Sequence, residues 1–232
     1  LAAIYPYVTQ LADGEWAYQA EVGYNFKKKT PLGGRYGMNI KANFSYVRAI
    51  DRQFYNTSDL IQKTNGYESK FFKWGDDTYY RSFDLVLTRK LSKAFKISLM
   101  YVNQLYNQAV VEGHGGSVHT NIYIADAKYQ FSPKVTLRGE LQYMTTKQDQ
   151  GDWAYGLLEL SLAPHWMVSV SDMWNCGETN LHYYQGLVTY NIGQHRIHGG
   201  YGRTRAGYNC SGGVCRYVPA TTGFTLSYNY NF

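Results

Sequence analysis

The chain has 232 residues and a formal net charge of +6, yet only 17% of its residues are charged, while Tyr contributes 24 and Gly 23. So aromatic a chain is not a disordered one, and no run of 18 apolar residues exists to form a transmembrane helix. The basic balance raises nucleic-acid binding as a class, but no basic patch interleaved with aromatics supports it, so no nucleic-acid partner is expected.

The first long element is Trp16–Phe26. Its even positions read Trp, Tyr, Ala, Val, Tyr, Phe and its odd positions Ala, Gln, Glu, Gly, Asn. Successive strand side chains point to opposite faces, so this is a strand with one apolar and one polar face. Nine segments of the same kind follow: Met38–Arg48, Thr78–Arg89, Phe95–Tyr106, Val118–Gln130, Val135–Thr145, Asp152–Leu162, Trp166–Trp174, His182–Ile192 and His195–Thr204. The last segment alternates Phe224, Leu226, Tyr228, Tyr230 and Phe232 against Thr225, Ser227, Asn229 and Asn231. These eleven strands run nine to thirteen residues. Soluble strands average about five or six, whereas a tilted strand crossing a bilayer needs about 9–11.

The connections alternate between short (Lys90–Ala94, Phe131–Lys134, Ala163–His165, Gly193–Gln194) and long (Ala49–Asp77, Asn107–Ser117, Thr146–Gly151, Asn175–Leu181, Arg205–Thr221). Lys27–Gly37 alone breaks that rhythm. On the apolar face, aromatics gather near both strand ends. Tyr24, Phe95, Tyr129, Trp166 and Tyr190 lie beside short turns, and Trp16, Phe44, Tyr101, Tyr143, Trp174 and Tyr201 beside long loops, with aliphatics between. Two aromatic belts around an aliphatic band suit the two interfaces of a bilayer. The same alternation sends Glu21, Lys41, Asp84, Lys96, Asp126, Lys128, Arg138, Glu140, Glu159 and Arg196 to the other, lumenal face, five acids against five bases.

With its terminal run from Gly223 to Phe232, the chain resembles a Gram-negative outer-membrane β-barrel. Phe224, Leu226, Tyr228, Tyr230 and Phe232 look like the terminal β-signal of that class. The Tyr- and Asn-rich style, with Cys215-Arg216-Tyr217-Val218-Pro219, is similar to an uncharacterised Bacteroidota barrel family. The resemblance implies an all-β, antiparallel, up-and-down transmembrane barrel in the outer membrane, in contact with lipid and lipopolysaccharide and read by the barrel-assembly machinery during biogenesis. It carries no catalytic residues. Counting back from a periplasmic Phe232, the strand Trp16–Phe26 runs downward. Ile4–Leu11 would then supply a twelfth strand, with Leu1, Ala3, Tyr5, Tyr7, Thr9 and Leu11 on the lipid face, although Pro6 cannot donate to a ladder. The alternative is that residues 1–232 are the C-terminal part of a larger barrel.

Few motifs carry chemistry. His195 and His198 differ in parity and cannot chelate one metal from a strand. His114 and His119 flank a glycine-rich loop that no helix follows, so it is not a phosphate loop. No spacing singles out a catalytic triad; no enzyme activity, metal or cofactor is expected. Cys210 and Cys215 are expected to pair, since Gly212-Gly213 permits a tight turn between them, leaving Cys176 unpaired. An Asp126–Arg138–Glu159 ladder across three strands is expected from a three-residue turn at 131–133. The 29-residue segment Ala49–Asp77 holds Phe54, Tyr55, Tyr67, Phe71, Phe72 and Trp74 and reads as an inward constriction, an outward platform for a glycan or partner, or a self-packed cap. Two functions remain. One is a porin-like channel for small hydrophilic solutes, resting on the polar lumen. The other is a non-conducting barrel subunit of an outer-membrane assembly, partnered by other outer-membrane or periplasmic proteins. The second rests on the basic rim (Lys27, Lys28, Lys29, Arg35, Arg89, Lys90, Lys93) and on bulky lumenal Tyr106, Trp153, Tyr155 and Tyr183.

Overall fold

The computed structural model describes residues 1–7, 14–54, 67–211 and 214–230, without the side chains of 54 and 208–216. In chain order the strands are β1 (Glu15–Phe26), β2 (Met38–Ile50), β3 (Gln53–Phe54), β4 (Tyr67–Glu68), β5 (Trp74–Lys90), β6 (Phe95–Asn107), β7 (Ser117–Ser132), β8 (Val135–Thr145), β9 (Trp153–Leu162), β10 (Trp166–Asn175), β11 (His182–Ile192), β12 (His195–Thr204), β13 (Gly207–Ser211), β14 (Val214–Val218) and β15 (Thr221–Tyr230). A single helical turn, α1 (Gln108–Val111), follows β6. Eleven strands form one antiparallel sheet in the order β1-β2-β5-β6-β7-β8-β9-β10-β11-β12-β15; β3–β4 and β13–β14 are small hairpins within two of the long loops. All eleven strands read from alternation are present, within four residues of their expected ends.

Register carries the apolar parity from strand to strand. Ala20 faces Phe44, Phe44 faces Phe83, Leu85 faces Tyr101, Tyr101 faces Tyr123 and Tyr123 faces Tyr143. The ladder then continues through Leu141–Gly156, Leu158–Val170, Val170–Gly186, Gly186–Tyr201 and Tyr201–Phe224. This outer face is exposed along its length, including Val22, Leu99, Leu141, Leu158 and Leu226. The buried core lies wholly on the opposite, inner face, near the long loops.

Two expectations are corrected. Ala2–Ile4 is a 3₁₀ turn, and no strand forms among residues 1–7. Tyr5, expected to face lipid, is 1% exposed on the inner side. Its hydroxyl donates to Asp149 and its carbonyl accepts from Gln104, long-range bonds that outweigh a pairing interrupted by Pro6. The rest of Ile4–Leu11 lies outside the described residues. The β7–β8 register is also shifted by two, because β7 continues to Ser132, which pairs with Val135 across a Pro133–Lys134 turn and leaves Phe131 as an extra bulged residue. Ser132 Oγ accepts from the backbone nitrogens of Lys134 (3.3 Å) and Val135 (3.2 Å), holding that turn. Asp126 therefore faces Glu140, and Arg138 faces Lys128; the Arg138–Glu159 pairing is as expected.

Candidate functional site

The inner face divides into two layers. Toward the long loops, strands β6 to β9 present Val102, Tyr106, Val118, Ile122, Met144 and Trp153, each no more than 3% exposed. Residues 1–7 lie on this surface. Ile4 and Tyr5 complete the buried cluster, with Leu1, Ala2 and Tyr7 packed against it. The Tyr5 and Tyr106 rings are 5.7 Å apart, and Tyr7 and Tyr80 5.5 Å. Below the rings, Gln104 Nε2 donates to the Tyr5 carbonyl (2.8 Å) while Gln104 Oε1 accepts from Thr120 Oγ1 (3.4 Å). Gln104 is 2% exposed, so these bonds satisfy an amide whose burial would otherwise cost about 1–3 kcal/mol. Tyr7 also bonds the carboxylate of Glu15, at the head of β1.

The long loops lock this layer from above. Helix α1 turns Val111 into the cluster; Asn107 caps it by accepting from the Val110 backbone nitrogen. Asp149 has a left-handed backbone (φ +53°), a conformation that Asp tolerates better than most residues, and accepts from the Tyr5 hydroxyl at 2.8 Å. Burial, reinforced by Asp149, pushes the Tyr5 hydroxyl far above the usual tyrosine range, so it remains a donor. The Asp149 loop is clasped to the next one. Cys176 and Gly177 donate backbone hydrogens to the Asp152 carbonyl (3.0 Å each), and fully buried Asn175 bonds the Gln150 carbonyl at 2.9 Å. Partial burial works against ionisation of the Asp152 carboxyl, but bonds from Tyr143, the Thr146 nitrogen and Thr145 prevail and hold it below the ordinary carboxylate range. Trp153 stacks on Tyr183 at 6.0 Å under the guanidinium of Arg205.

Toward the short turns the inner face is polar. Arg138 Nε donates to Asp126 Oδ2 (2.6 Å) and its Nη2 to Glu140, while Glu140 also accepts from Gln142 (2.5 Å). Like charges lie directly opposite in this register, which destabilises a sheet, and the bonds of Arg138, diagonally to Asp126 and along its own strand to Glu140, relieve it. The expected Asp126–Arg138 contact thus exists through a different pairing. Lys41 bridges Glu21 at 3.1 Å; Asp84 accepts from Asn43 (3.0 Å) and Ser82 (2.6 Å). Lys96, Lys128, Glu159 and Arg196 share the inner parity in the observed registers.

On the outer face the belts are visible as ring pairs. Trp166–Tyr190 (4.5 Å), Tyr24–Phe26 (4.8 Å) and Phe95–Tyr129 (6.1 Å) mark the short-turn end. Phe44–Tyr46 (6.3 Å), Tyr101–Tyr123 (5.4 Å) and Tyr201–Phe224 (4.7 Å) mark the other end. Of the loop aromatics, Phe71 and Phe72 pack on Trp16 (6.0 and 6.2 Å) and Trp74 Nε1 donates to Tyr18 OH (3.1 Å). This end of the loop therefore leans outward over β1. Tyr67 pairs with Phe54 in the β3–β4 hairpin, and Tyr55 lies outside the described residues. Of the residues expected to form a terminal β-signal, Phe224, Leu226, Tyr228 and Tyr230 are exposed on the outer face of β15, and Phe232 lies outside the described residues. Cys210 and Cys215 face one another in backbone register across β13–β14; their side chains lie outside the described ones, and Cys176 is a free thiol.

His195 meets Tyr228 on the outer face and His198 meets Thr189 on the inner, so the two do not converge. Among the described residues no three His, Cys, Asp or Glu side chains cluster as a metal site. The residues not anticipated are Tyr5, Gln104 and Asp149. A signal existed: Val102, Val118, Ile122 and Met144 are apolar at inner parity, which only a covered inner face explains.

The chain is similar to the toluene transporter TbuX of Ralstonia pickettii, at 10% identity and a TM-score of 0.34, over 84% of this chain and 62% of that one. It thus spans less than two thirds of the transporter's length. No curated protein matches it. A family of unknown function, DUF6029, matches residues 1–232, and the chain belongs to that family.

Proposed function

We propose that this chain forms the wall of an outer-membrane β-barrel whose lumen is closed at its extracellular end by residues 1–7, and that it is a non-conducting barrel in that state. Membrane placement is supported by the long alternating strands, the exposed apolar outer face and its two aromatic belts. The terminal strand's likeness to the β-signal of the class supports an orientation with long loops outside and short turns in the periplasm. The observation that carries the closure is the buried layer: Tyr5, Tyr106, Ile122, Met144 and Trp153 are at most 1% exposed on the face that a porin would keep wet. Lipid and lipopolysaccharide cover the outside, and the barrel-assembly machinery inserts it.

A second reading has its own support. The polar layer around Asp126, Arg138, Glu140 and Gln142 suits a hydrated vestibule, so small hydrophilic solutes would pass once residues 1–7 withdraw. Planar-bilayer recording of the purified full-length protein decides between them. The expected result is a membrane-inserted protein with no steady current and only rare openings. A constant ohmic conductance would establish the porin reading instead.

A further inference from the structure

The two ends of the sheet point the same way. Eleven strands in unbroken antiparallel alternation make β1 and β15 both run from the long loops toward the short turns. Both are bare. Ala17–Asn25 is exposed on both faces, and so is Phe224–Tyr230, whereas every strand between them in the sheet keeps partly or fully buried residues in its middle. Among the described residues neither strand has a partner on its outer edge. Resting on the membrane placement proposed above, these edges would lie in hydrocarbon, where each unpaired backbone group costs several kcal/mol.

We infer that the barrel is completed by an odd number of further strands from the same polypeptide, outside residues 1–232, inserted between β1 and β15. Joining β1 directly to β15 would make a parallel ladder between them. A second copy of this unit offers no alternative. All copies enter the membrane in one orientation, so β1 on β1, β15 on β15 and β1 on β15 are each parallel. Antiparallel pairing needs a strand running from the short turns toward the long loops beside each edge. An odd number of such alternating strands provides both neighbours and brings the total to the even count of bacterial single-chain barrels. A segment of the same polypeptide meets both edges at high effective concentration, which a separate protein would not. Its chemistry is set by what it must continue. It needs apolar residues beside Tyr18, Val22 and Tyr24 and beside Leu226 and Tyr228, and polar ones beside Gln19, Glu21, Ser227 and Asn229.

The test uses the full-length protein in native outer membranes, with its cysteines replaced by serine and a single Gln19→Cys or Ser227→Cys carrying a benzophenone thiol label. Irradiation, digestion and mass spectrometry should join each position to peptides of the same chain outside residues 1–232, besides the known neighbours β2 and β12. Amides on the free side of β1 should exchange as slowly as those of β2. Attachment of the Gln19 label to β15, within one chain or between copies, would overturn the inference. So would attachment to β2 alone together with fast exchange along β1. Release of the protein from membranes by alkaline carbonate would instead refute the membrane placement itself. Asn25→Cys serves if Gln19→Cys fails to assemble.

Discussion

Replacing Tyr5 by Ala removes the central side chain of the segment that covers the inner face near the long loops. Tyr5 is 1% exposed, its ring lies 5.7 Å from Tyr106, and its hydroxyl donates to Asp149. Truncating a buried aromatic side chain costs about 3–5 kcal/mol. The hydrogen bond is a small part of that, about 1 kcal/mol, because Asp149 is exposed and regains water when the phenol leaves. The sheet does not depend on residues 1–7 for its pairing, so the loss falls on docking of the segment. At about 1.4 kcal/mol per tenfold, Tyr5→Ala should shift that equilibrium toward the undocked state by roughly two to four orders of magnitude, and Tyr5→Phe by about fivefold. The assay is the labelling rate of Ile4→Cys by a bulky water-soluble maleimide in intact membranes, with the native cysteines replaced by serine. Conductance should rise in parallel. Because the folded state holds the Tyr5 proton, the contribution of Tyr5 is complete below the ordinary value of 10.0 and is lost as pH rises beyond it; alkaline pH should therefore speed labelling in the unsubstituted segment. Equal labelling rates for Tyr5→Ala and native Tyr5 would refute the reasoning.

Three other outcomes are expected. Asp152, whose carboxyl is held below its ordinary 3.8, stabilises the loop clasp above that pH and releases it as pH falls lower; Asp152→Asn should expose Thr146–Gly151 to protease already at neutral pH, and unchanged nicking would refute this. Cys210 and Cys215 should appear as one disulfide-linked peptide in non-reducing digests, with a stabilisation no greater than about 3 kcal/mol for so short a loop, and a bridge to Cys176 would contradict it. Arg138→Leu leaves Asp126, Glu140 and Glu159 facing one another and should cost about 1 kcal/mol, since the site is partly hydrated, with partial recovery in Arg138→Lys; a denaturation midpoint equal to wild type would show that the ladder is idle.

The strands and their faces were legible because both follow from the two-residue period, which every long strand of the main sheet obeys. All ten charges assigned to the inner face carry the inner parity for that reason. Register was legible only in part. The pairing of Arg138 with Glu159 could be counted from the loop, but the extra residue at Phe131 leaves no mark in the alternation, and Ser132 as a side-chain cap for the turn was the only hint. The Asp126–Arg138 bond survives the shift because an arginine reaches diagonally as readily as across. Residues 1–7 misled for a physical reason. Leu1, Ala3, Tyr5 and Tyr7 alternate like a strand, and what decides their place is contact with Gln104 and Asp149, more than ninety residues away in sequence.

The two layers of the inner face do different work, and the difference follows from what holds each. Residues 1–7 share no ladder with the main sheet, so hydrogen bonds of sheet type cannot retain them; burial of apolar and aromatic surface must, and it requires a dry wall. Val102, Val118, Ile122 and Met144 supply that wall where a polar lumen would have rejected the segment. The charged layer beneath cannot hold an apolar segment, but on the short-turn side of the proposed closure it can keep water and ions. Substitutions should therefore separate by layer. If the proposed closure holds, those at Tyr5 or Ile122 should alter how often the barrel opens, whereas those at Asp126, Arg138 or Glu140 should alter what the polar layer favours once it is open. A charge substitution at Arg138 that changed opening frequency as strongly as Tyr5→Ala would mean that the layers are coupled, and that closure is not carried by apolar burial.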